Sequence, residues 1–382
     1  MKSFKKVFLE KRKPIFNYFF TVFMICGFVI FSIGPVSCRM TEEGIEIQPG
    51  DKTCPVVESF NLTGSGSFSV SCSEKIFVSS ASVNRLDSEN LDDEISVLSV
   101  DYDESGKTAE ITLDGSTQVG ENYVFSAVIT DTSGNSTEFE QEFVGFNENP
   151  AVLIFSEIRT KSDAKNNKSD FIEFYCLKGG NTHGLKLCSG AKGTDSDYIF
   201  PAIEVQAGEY ITLHNRTFDS ENAINETESD FALSKADESC DTARDLWRNG
   251  TDAKIGVSAD VLVLKNYSNE TVCDGIAYCK STSEKWGSNL QAKYAELLFS
   301  EGIWTSGSDT SSAFKSDSAT TLYRSISRKN VSELSEKYAS EEIGKISGCA
   351  DDWKLTEKSG IGKSIVSGAT PGFENSTNYF SE

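Results

Sequence analysis

Two glutamates lie in the middle of short apolar segments and are the first candidates for chemistry. Glu157 is in VLIFSEI (residues 152–158), and Glu173 is in DFIEFYCL (residues 170–177). A buried carboxylate is costly unless it is paired or hydrogen-bonded, and two carboxyls with separated pKa values can act as general acid and general base. The pair raises two hypotheses, an acid–base site or structural carboxylates that belong to the fold.

Both segments have the composition and length of β-strands. In an extended segment Glu157 shares a face with Phe155, and Glu173 shares a face with Tyr175. Because each glutamate has an aromatic neighbour on its own face, we expect both carboxylates to be at least partly buried.

Two carboxylates on paired strands would repel each other, so each needs a hydrogen-bond donor. Arginine can hold a carboxylate with two parallel hydrogen bonds. Arg324 is the first candidate and Arg328 the second, and backbone N–H groups of long loops are an alternative. We interpret Glu157 and Glu173 as structural carboxylates with Arg324 as their partner.

Other catalytic patterns are missing from the sequence. It contains no Gly-x-Ser-x-Gly elbow, no P-loop and no Cys-x-x-Cys pair. Only His183 and His214 could supply imidazole, so a zinc site is not expected. We therefore expect no enzyme activity, no catalytic residue, no metal and no cofactor.

The charge of the chain bears on its partners. The formal net charge is −22 at pH 7, and a cluster of basic residues lies at the extreme N terminus. An acidic surface repels phosphate backbones. Because no basic patch follows the N-terminal cluster, nucleic acid is not an expected partner.

Residues 1–37 have the layout of a signal peptide, with a basic start followed by a long apolar stretch. Ser37 then precedes Cys38 in GPVSC, which resembles a bacterial lipobox, although Pro35 stands where leucine is usual. The resemblance implies lipidation of Cys38, followed by a linker to residue 53. An uncleaved membrane anchor is the alternative, because about 22 apolar residues can span a bilayer.

Either attachment would place the chain in the cell envelope, tethered to a membrane and facing the periplasm or the outside. An even number of cysteines in an exported chain is typical of disulfides, although their connectivity stays open. The candidates are Cys54, Cys72, Cys176, Cys188, Cys240, Cys273, Cys279 and Cys349.

Residues 54–147 contain alternating segments separated by turn clusters, a pattern typical of a β-sandwich. FSVSCSEKI, GKTAEITL and VGENYVFSAVITDTSGN follow one another in this region. They resemble bacterial Ig-like domains of cell-surface proteins. The resemblance implies an Ig-like domain over residues 54–147.

Seven pieces between residues 151 and 377 resemble the lamin tail domain, also an Ig-like β-sandwich. They include VLIFSEI, SDFIEFYCLKGG, DYIFPAIEVQAGEYITL and GATPGFEN, in family order. Cys176 departs from the family, which usually has asparagine there. The region is also longer than usual, with insertions near 215–255 and 280–350, where individual function is expected to reside.

Three segments within the second region have helical signals. They are residues 227–250, ended by Asn249-Gly250, residues 288–299, and residues 330–344 with a capping-box pair at Asn330 and Glu333. We expect these helices to pack on a flank of a sheet.

We therefore expect a mainly β protein with two Ig-like β-sandwich domains, the second with helical insertions, behind an N-terminal signal and lipid anchor. Its expected role is non-catalytic binding, scaffolding or adhesion to an unknown protein or glycan. The alternative is a surface or periplasmic hydrolase, or a carbohydrate-binding accessory protein that uses the enlarged loops. Trp247, Trp286 and Trp304 are the candidates for stacking on sugar rings.

Overall fold

A computed structural model describes residues 39–41, 44–46, 50–86, 94–266, 269–319, 321–360 and 365–381. The predicted signal peptide and Cys38 lie outside these residues. The described part is mainly β, which confirms the predicted fold class. None of the helices among these residues has the length and apolar character needed to cross a bilayer.

The first module is one seven-stranded antiparallel sheet, preceded by a small hairpin of β1 (Arg39–Thr41) and β2 (Gly44–Glu46). In spatial order its strands are β3 (Val57–Gly64), β4 (Ser67–Cys72), β7 (Thr108–Leu113), β6 (Glu94–Tyr102), β5 (Ile76–Arg85), β8 (Asn122–Asp131) and β9 (Ser136–Val144).

This sheet folds over on itself to enclose a core. β6 pairs with β7 along most of its length but with β5 only near its start, where Ser96 faces Ser82. The two halves can therefore separate and face each other. Phe60 of β3 stacks on Phe125 of β8 with ring centroids 5.7 Å apart, and Phe68 of β4 meets Phe125 edge-on at 4.6 Å. These aromatic contacts join the two layers of a sandwich.

The second module, residues 151–381, contains two larger sheets and one short pair of strands. The six-stranded sheet is, in spatial order, β17 (Arg244–Trp247), β16 (Tyr210–His214), β11 (Phe171–Lys178), β10 (Val152–Arg159), β21 (Ile326–Arg328) and β22 (Trp353–Leu355). The five-stranded sheet is β14 (Tyr198–Ile199), β13 (Leu185–Ser189), β18 (Asp260–Asn266), β19 (Val272–Cys279) and β20 (Phe314–Lys315). β12 (Gly180–Asn181) pairs with β15 (Glu204–Val205).

A buried ion pair joins the two larger sheets. Two guanidinium N–H groups of Arg328, in β21, donate to the two carboxylate oxygens of Asp274, in β19, at 2.9 and 3.0 Å. Asp274 also accepts the backbone N–H of Phe155 at 2.8 Å. Both charged side chains are at most 1% exposed. Arg328 was the second candidate for holding the glutamates, but it serves as the link between sheets.

Two of the three predicted helices are confirmed. α1 (Asn289–Ser300) begins at Ser288, whose hydroxyl accepts the backbone N–H of Gln291 while the Gln291 side chain accepts the backbone N–H of Ser288. α2 (Val331–Ala339) lacks the predicted capping box, because the Asn330 amide donates to Asp352 instead.

The predicted helix over residues 227–250 is wrong. This segment consists of turns that lead into β17. The carboxylate of Glu226 accepts the backbone N–H groups of Ser234 at 3.0 Å and Asp245 at 2.7 Å. Side-chain acceptors of this kind compete with the hydrogen bonds that a helix would need, so the segment wraps around Glu226 instead.

The predicted disulfides do not form in this structure, where all eight cysteines after the linker are free thiols. Cys176 lies in the six-stranded sheet, where its thiol donates to the carbonyl of Lys178 at 3.1 Å, and Cys188 lies in the five-stranded sheet. Cys54 is exposed, whereas Cys72 is buried in the first module's core.

Replacing Arg328 with methionine should lower the free energy of unfolding of the second module by about 3–5 kcal/mol, because Asp274 would keep a buried charge without its partner. The measurement is urea denaturation followed by tryptophan fluorescence. All four tryptophans of the chain lie in the second module, so the signal reports on that module alone.

The double variant Arg328→Met/Asp274→Asn is the matched control. Asparagine keeps an acceptor for the N–H of Phe155 but carries no charge, so part of the lost stability should return. If the double variant were less stable than Arg328→Met, the unpaired charge would not be the cause.

Candidate functional site

Glu157 and Glu173 come together as the sequence suggested. They are direct cross-strand partners in β10 and β11. Both residues are 0% exposed, so burial is complete and not partial. The carboxyls therefore depend on protein groups for every hydrogen bond.

A turn near the C terminus supplies most of the donors. The backbone N–H of Thr370 donates to Glu157 at 2.9 Å, and the backbone N–H of Gly372 donates to Glu173 at 2.6 Å. The hydroxyl of Ser325 donates to the other oxygen of Glu157. Two N–H groups of one turn thus hold two carboxyls of neighbouring strands, which fits the backbone alternative considered from the sequence.

Arg324 is not the partner of the glutamates, so this prediction was wrong. Its guanidinium donates to both oxygens of Glu357 at 3.1 and 3.2 Å and lies 3.6 Å from the ring centroid of Phe380. Arg324 and Glu357 both keep part of their surface in water. An arginine in this place avoids the desolvation that a fully buried ion pair would require.

The buried environment shifts the protonation of both glutamates. Burial raises the pKa of Glu157 to about 7, against the opposing effects of the Ser325 hydroxyl, the Thr370 N–H and the positive charge of Arg159. Burial, together with the neighbouring Glu157 carboxylate, raises the pKa of Glu173 well above its ordinary value. Two adjacent negative charges are therefore avoided near neutral pH, because at least one carboxyl keeps its proton.

The two glutamates belong to a polar row that crosses the six-stranded sheet. In register order the row is Asp245, Thr212, Glu173, Glu157 and Ser327. All five residues are 0% exposed. Residues in register share one face of a sheet, so this face is polar and yet covered by other parts of the chain.

The insertion after β16 covers one end of this row. Asp245 pairs with His214 at 2.9 Å and accepts the backbone N–H of Cys240 at 2.7 Å. The ring of Trp247 stacks on His214 with centroids 3.9 Å apart. The enlarged loop near 215–255 therefore satisfies and shields buried polar groups of the sheet.

The candidate residues for chemistry and sugar stacking are mostly inaccessible. Glu157 and Glu173 have no exposed surface through which a substrate could reach them in this structure. Trp247 and Trp304 are 4% and 1% exposed, so they do not form a sugar platform. Trp286 is half-buried, and its indole N–H donates to the carbonyl of Ser308 at 2.8 Å.

An open cleft of about 610 Å³ lies between the two modules. Its apolar wall comes mainly from the first module and the connecting segment, and its polar wall includes residues of the second module. The principal lining residues are Phe60, Leu62, Phe143, Phe146, His183 and Asn266. We refer to this concavity as the inter-module cleft.

Direct contacts between the modules build the cleft. The side-chain amide of Asn147 donates to the carbonyls of Asn181 at 3.0 Å and His183 at 2.9 Å. Nearby, a Cβ added to Gly120 would lie only 2.5 Å from the Cβ of Ala202. The cleft was not evident from the sequence, because its walls are far apart along the chain.

Three carboxylates, from Asp51, Glu74 and Asp131, place oxygen atoms within 4.8 Å of one another. Asp131 is already used by the turn after β8, where it accepts the backbone N–H groups of Ser133 and Asn135 at 2.8 Å. We therefore assign this cluster to the architecture of the turn.

Comparison with known proteins places the second module in a family. The TP_1001_2nd family, described as "protein second domain", matches residues 151–355. The chain belongs to this family. The match begins just before β10 and ends at β22, so the TP_1001_2nd domain includes both larger sheets and the insertions.

A protein of Treponema pallidum (strain Nichols), described as "Uncharacterized protein", is 28% identical over 197 residues. The match covers 49% of this chain and 49% of that protein, so the chain spans about half the length of this relative.

Two solved structures show weaker similarity. The N-terminal part of the bacterial S-layer protein SbsC has a TM-score of 0.24 and 15% identity, with 59% of this chain and 43% of that chain covered. A DUF4876 family protein from Bacteroides thetaiotaomicron VPI-5482 has a TM-score of 0.27 and 12% identity, with 66% and 82% covered.

Gly372→Ala should strongly destabilise the TP_1001_2nd domain. Gly372 has φ +82°, and an added Cβ would lie 2.6 Å from the sulfur of Cys240. An alanine held at this positive φ should cost about 1 kcal/mol of backbone strain, and the steric overlap of its Cβ should cost about 1–3 kcal/mol. Together they should lower the free energy of unfolding by about 2–4 kcal/mol. Urea denaturation with tryptophan fluorescence measures the loss.

Gly250→Ala is the matched control, because Gly250 has φ +94° but open space around the added Cβ. This substitution should lower the free energy of unfolding by only about 1 kcal/mol. Equal losses in the two variants would show that close packing of the C-terminal turn against Cys240 contributes nothing.

Proposed function

We propose that this protein is a membrane-anchored cell-envelope protein that binds a partner without catalysing a reaction. The observation that carries the proposal is the inter-module cleft. It is concave, open to solvent and lined by apolar and polar residues from both modules. Ligand sites commonly have this composition and occur preferentially at domain interfaces.

The chemistry of the cleft favours an uncharged, amphipathic ligand. Phe60, Phe143 and Phe146 offer apolar surface, and the side chains of Asn61 and Asn269 offer amide donors and acceptors. Among the residues that the structure describes, the cleft lining contains no Asp, Glu, Lys or Arg. An extended peptide segment or a glycan chain presents apolar faces together with amide or hydroxyl groups, and both match this wall.

The burial of Glu157 and Glu173 supports a binding role over the hydrolase alternative. An acid–base pair must reach the proton that it transfers, in contact or through one water molecule. These carboxyls bond instead to the C-terminal turn and have no exposed surface. These two glutamates therefore do not form an accessible acid–base pair in this structure.

The location in the envelope rests on the N-terminal sequence and on resemblance. The basic start, the apolar stretch and Cys38 are the parts of a lipoprotein signal. The resemblances to bacterial Ig-like domains and to lamin tail domains support export as well. In this proposal a lipid on Cys38 tethers the chain, and the two modules carry the cleft away from the membrane.

Cys38→Ala should abolish lipid labelling of the chain. In a bacterial host fed radiolabelled palmitate, the wild type should become labelled and fractionate with membranes. Cys38→Ser is a second variant that preserves polarity, and it should remain unlabelled too. Labelling that persisted in either variant would reject lipidation at this cysteine, and protease shaving of intact cells would then report whether the uncleaved segment anchors the chain.

Phe146→Ser should weaken ligand binding in the cleft by about tenfold or more, because it removes an aromatic ring from the lining. The probes are a random peptide library displayed on phage and a glycan array, each screened with the purified chain. Binding of the selected peptide or glycan is then measured by calorimetry.

Phe77→Ser is the control for this experiment. Phe77 is 48% exposed in the same module but lies outside the cleft. It should leave binding unchanged. If no ligand from either collection depended on Phe146, the cleft would not be the binding site.

A further inference from the structure

One cysteine lies against a lysine at the edge of the five-stranded sheet. Cys279 is the last residue of β19, and Lys315 is the last residue of the edge strand β20. The two residues are register partners in this parallel pair. The lysine Nζ is 3.8 Å from the cysteine Sγ.

A single carbonyl brings the two side chains together. The ammonium of Lys315 donates to the carbonyl oxygen of Thr310, and the thiol of Cys279 donates to the same oxygen at 3.4 Å. Cys279 is 0% exposed, whereas Lys315 reaches the site from the surface. The strand register and the shared acceptor therefore both hold sulfur beside nitrogen.

The other buried thiols have different neighbours. Cys176 donates to the carbonyl of Lys178, and Cys240 lies 3.2 Å from the hydroxyl of Thr242. Among the described residues, Cys279 is the cysteine with a lysine nitrogen at hydrogen-bonding distance. This arrangement singles out Cys279 among eight free thiols.

We propose that Cys279 and Lys315 are a covalent modification site, at which a peroxide converts the pair into a sulfur–oxygen–nitrogen bridge. The first equivalent of hydrogen peroxide oxidises the thiol to a sulfenic acid and is reduced to water. In the second step the Lys315 ammonium first releases one proton to solvent. The sulfenic O–H bond and one N–H bond of the resulting amine then break, an O–N bond forms, and the second equivalent of peroxide is reduced to two water molecules. The product is Cys279 Sγ–O–Nζ Lys315.

The lysine also favours the first step. Burial raises the pKa of Cys176 to about 12 and the pKa values of Cys188 and Cys273 to about 11. Burial also raises the pKa of Cys279, but the Lys315 ammonium opposes this rise, against the smaller effect of the Asp317 carboxylate. The thiolate is the nucleophile that attacks peroxide.

The bridge would replace a disulfide as the cross-link of this sheet. β20 has only two residues and lies at the sheet's edge, where it ends the insertion that contains α1. A covalent bond between β19 and β20 closes the chain between residues 279 and 315 and restricts the unfolded state as a disulfide does. The bridge should therefore raise the resistance of the insertion to proteolysis.

Mass spectrometry of the peroxide-treated full chain, purified in detergent, tests the proposal. Trypsin should release a cross-linked product of residues 266–280 and 294–324, because a modified Lys315 is no longer a cleavage site. Its mass should exceed the sum of the two peptides by one oxygen atom minus two hydrogen atoms. Dithiothreitol should reverse the bridge and restore both free peptides.

Two variants and one control define the outcome. Lys315→Arg keeps the positive charge but lacks the primary amine, and Cys279→Ser removes the sulfur, so both should lose the cross-linked product completely. Cys188→Ser changes another buried thiol and should retain it. Tryptophan fluorescence of each variant confirms that the second module is folded.

Three results would overturn the proposal. The first is wild-type protein in which Cys279 gains only whole oxygen atoms and residues 294–315 are released unlinked. The second is a cross-link that persists in Lys315→Arg. The third is a cross-link that forms at another cysteine with equal yield.

Discussion

The second module depends on the need to satisfy two carboxyls buried side by side. Glu157 and Glu173 face each other on neighbouring central strands, where neither can reach water. An unsatisfied buried charge would cost more than most single interactions contribute. The solution is a turn that brings two backbone N–H groups, from Thr370 and Gly372, onto the two side chains. The chain must return across the sheet after β22 to make these bonds, so the C-terminal segment is an integral part of the fold.

The same requirement applies at the insertion after β16. The polar row continues from the glutamates to Asp245, which is satisfied by His214 and by the insertion after β16. On the opposite sheet, Asp260 is fully buried and accepts the hydroxyl of Ser189 and the backbone N–H of Gly256. Each carboxylate recruits donors from a separate loop. The insertion after β16 therefore covers a polar sheet face.

The inter-module cleft, whose lining suits an uncharged amphipathic ligand, lies where the two modules meet. The TP_1001_2nd family match covers residues 151–355 and thus only one wall of the inter-module cleft. The other wall, including Phe60 and Phe143, belongs to the first module. The proposed binding role is consequently a property of the two-module arrangement. Neither module contains the complete cleft by itself.

The strand composition and the helical pattern of residues 288–299 determined the mainly β class and α1, because these features depend on neighbours within a few residues. The two glutamates were likewise visible as unusual residues in apolar strands. Their donors were not visible, because Thr370 and Gly372 are about two hundred residues away and act through backbone N–H groups that every non-proline residue carries. Charge complementarity made Arg324 the natural choice, but solvent access placed it with Glu357.

The local sequence pattern also gave a wrong prediction where a side-chain acceptor from elsewhere in the fold competes for the backbone N–H groups of a helix. Residues 227–250 contain helical signals, yet the buried carboxylate of Glu226 captures their backbone N–H groups. An even cysteine count suggested disulfides, whereas all eight candidate cysteines are free thiols in this structure. The sequence by itself determined the mainly β class and showed which residues are costly to bury. Only the tertiary structure decided which distant groups form hydrogen bonds with those buried residues, because these contacts join parts of the chain that are far apart in sequence.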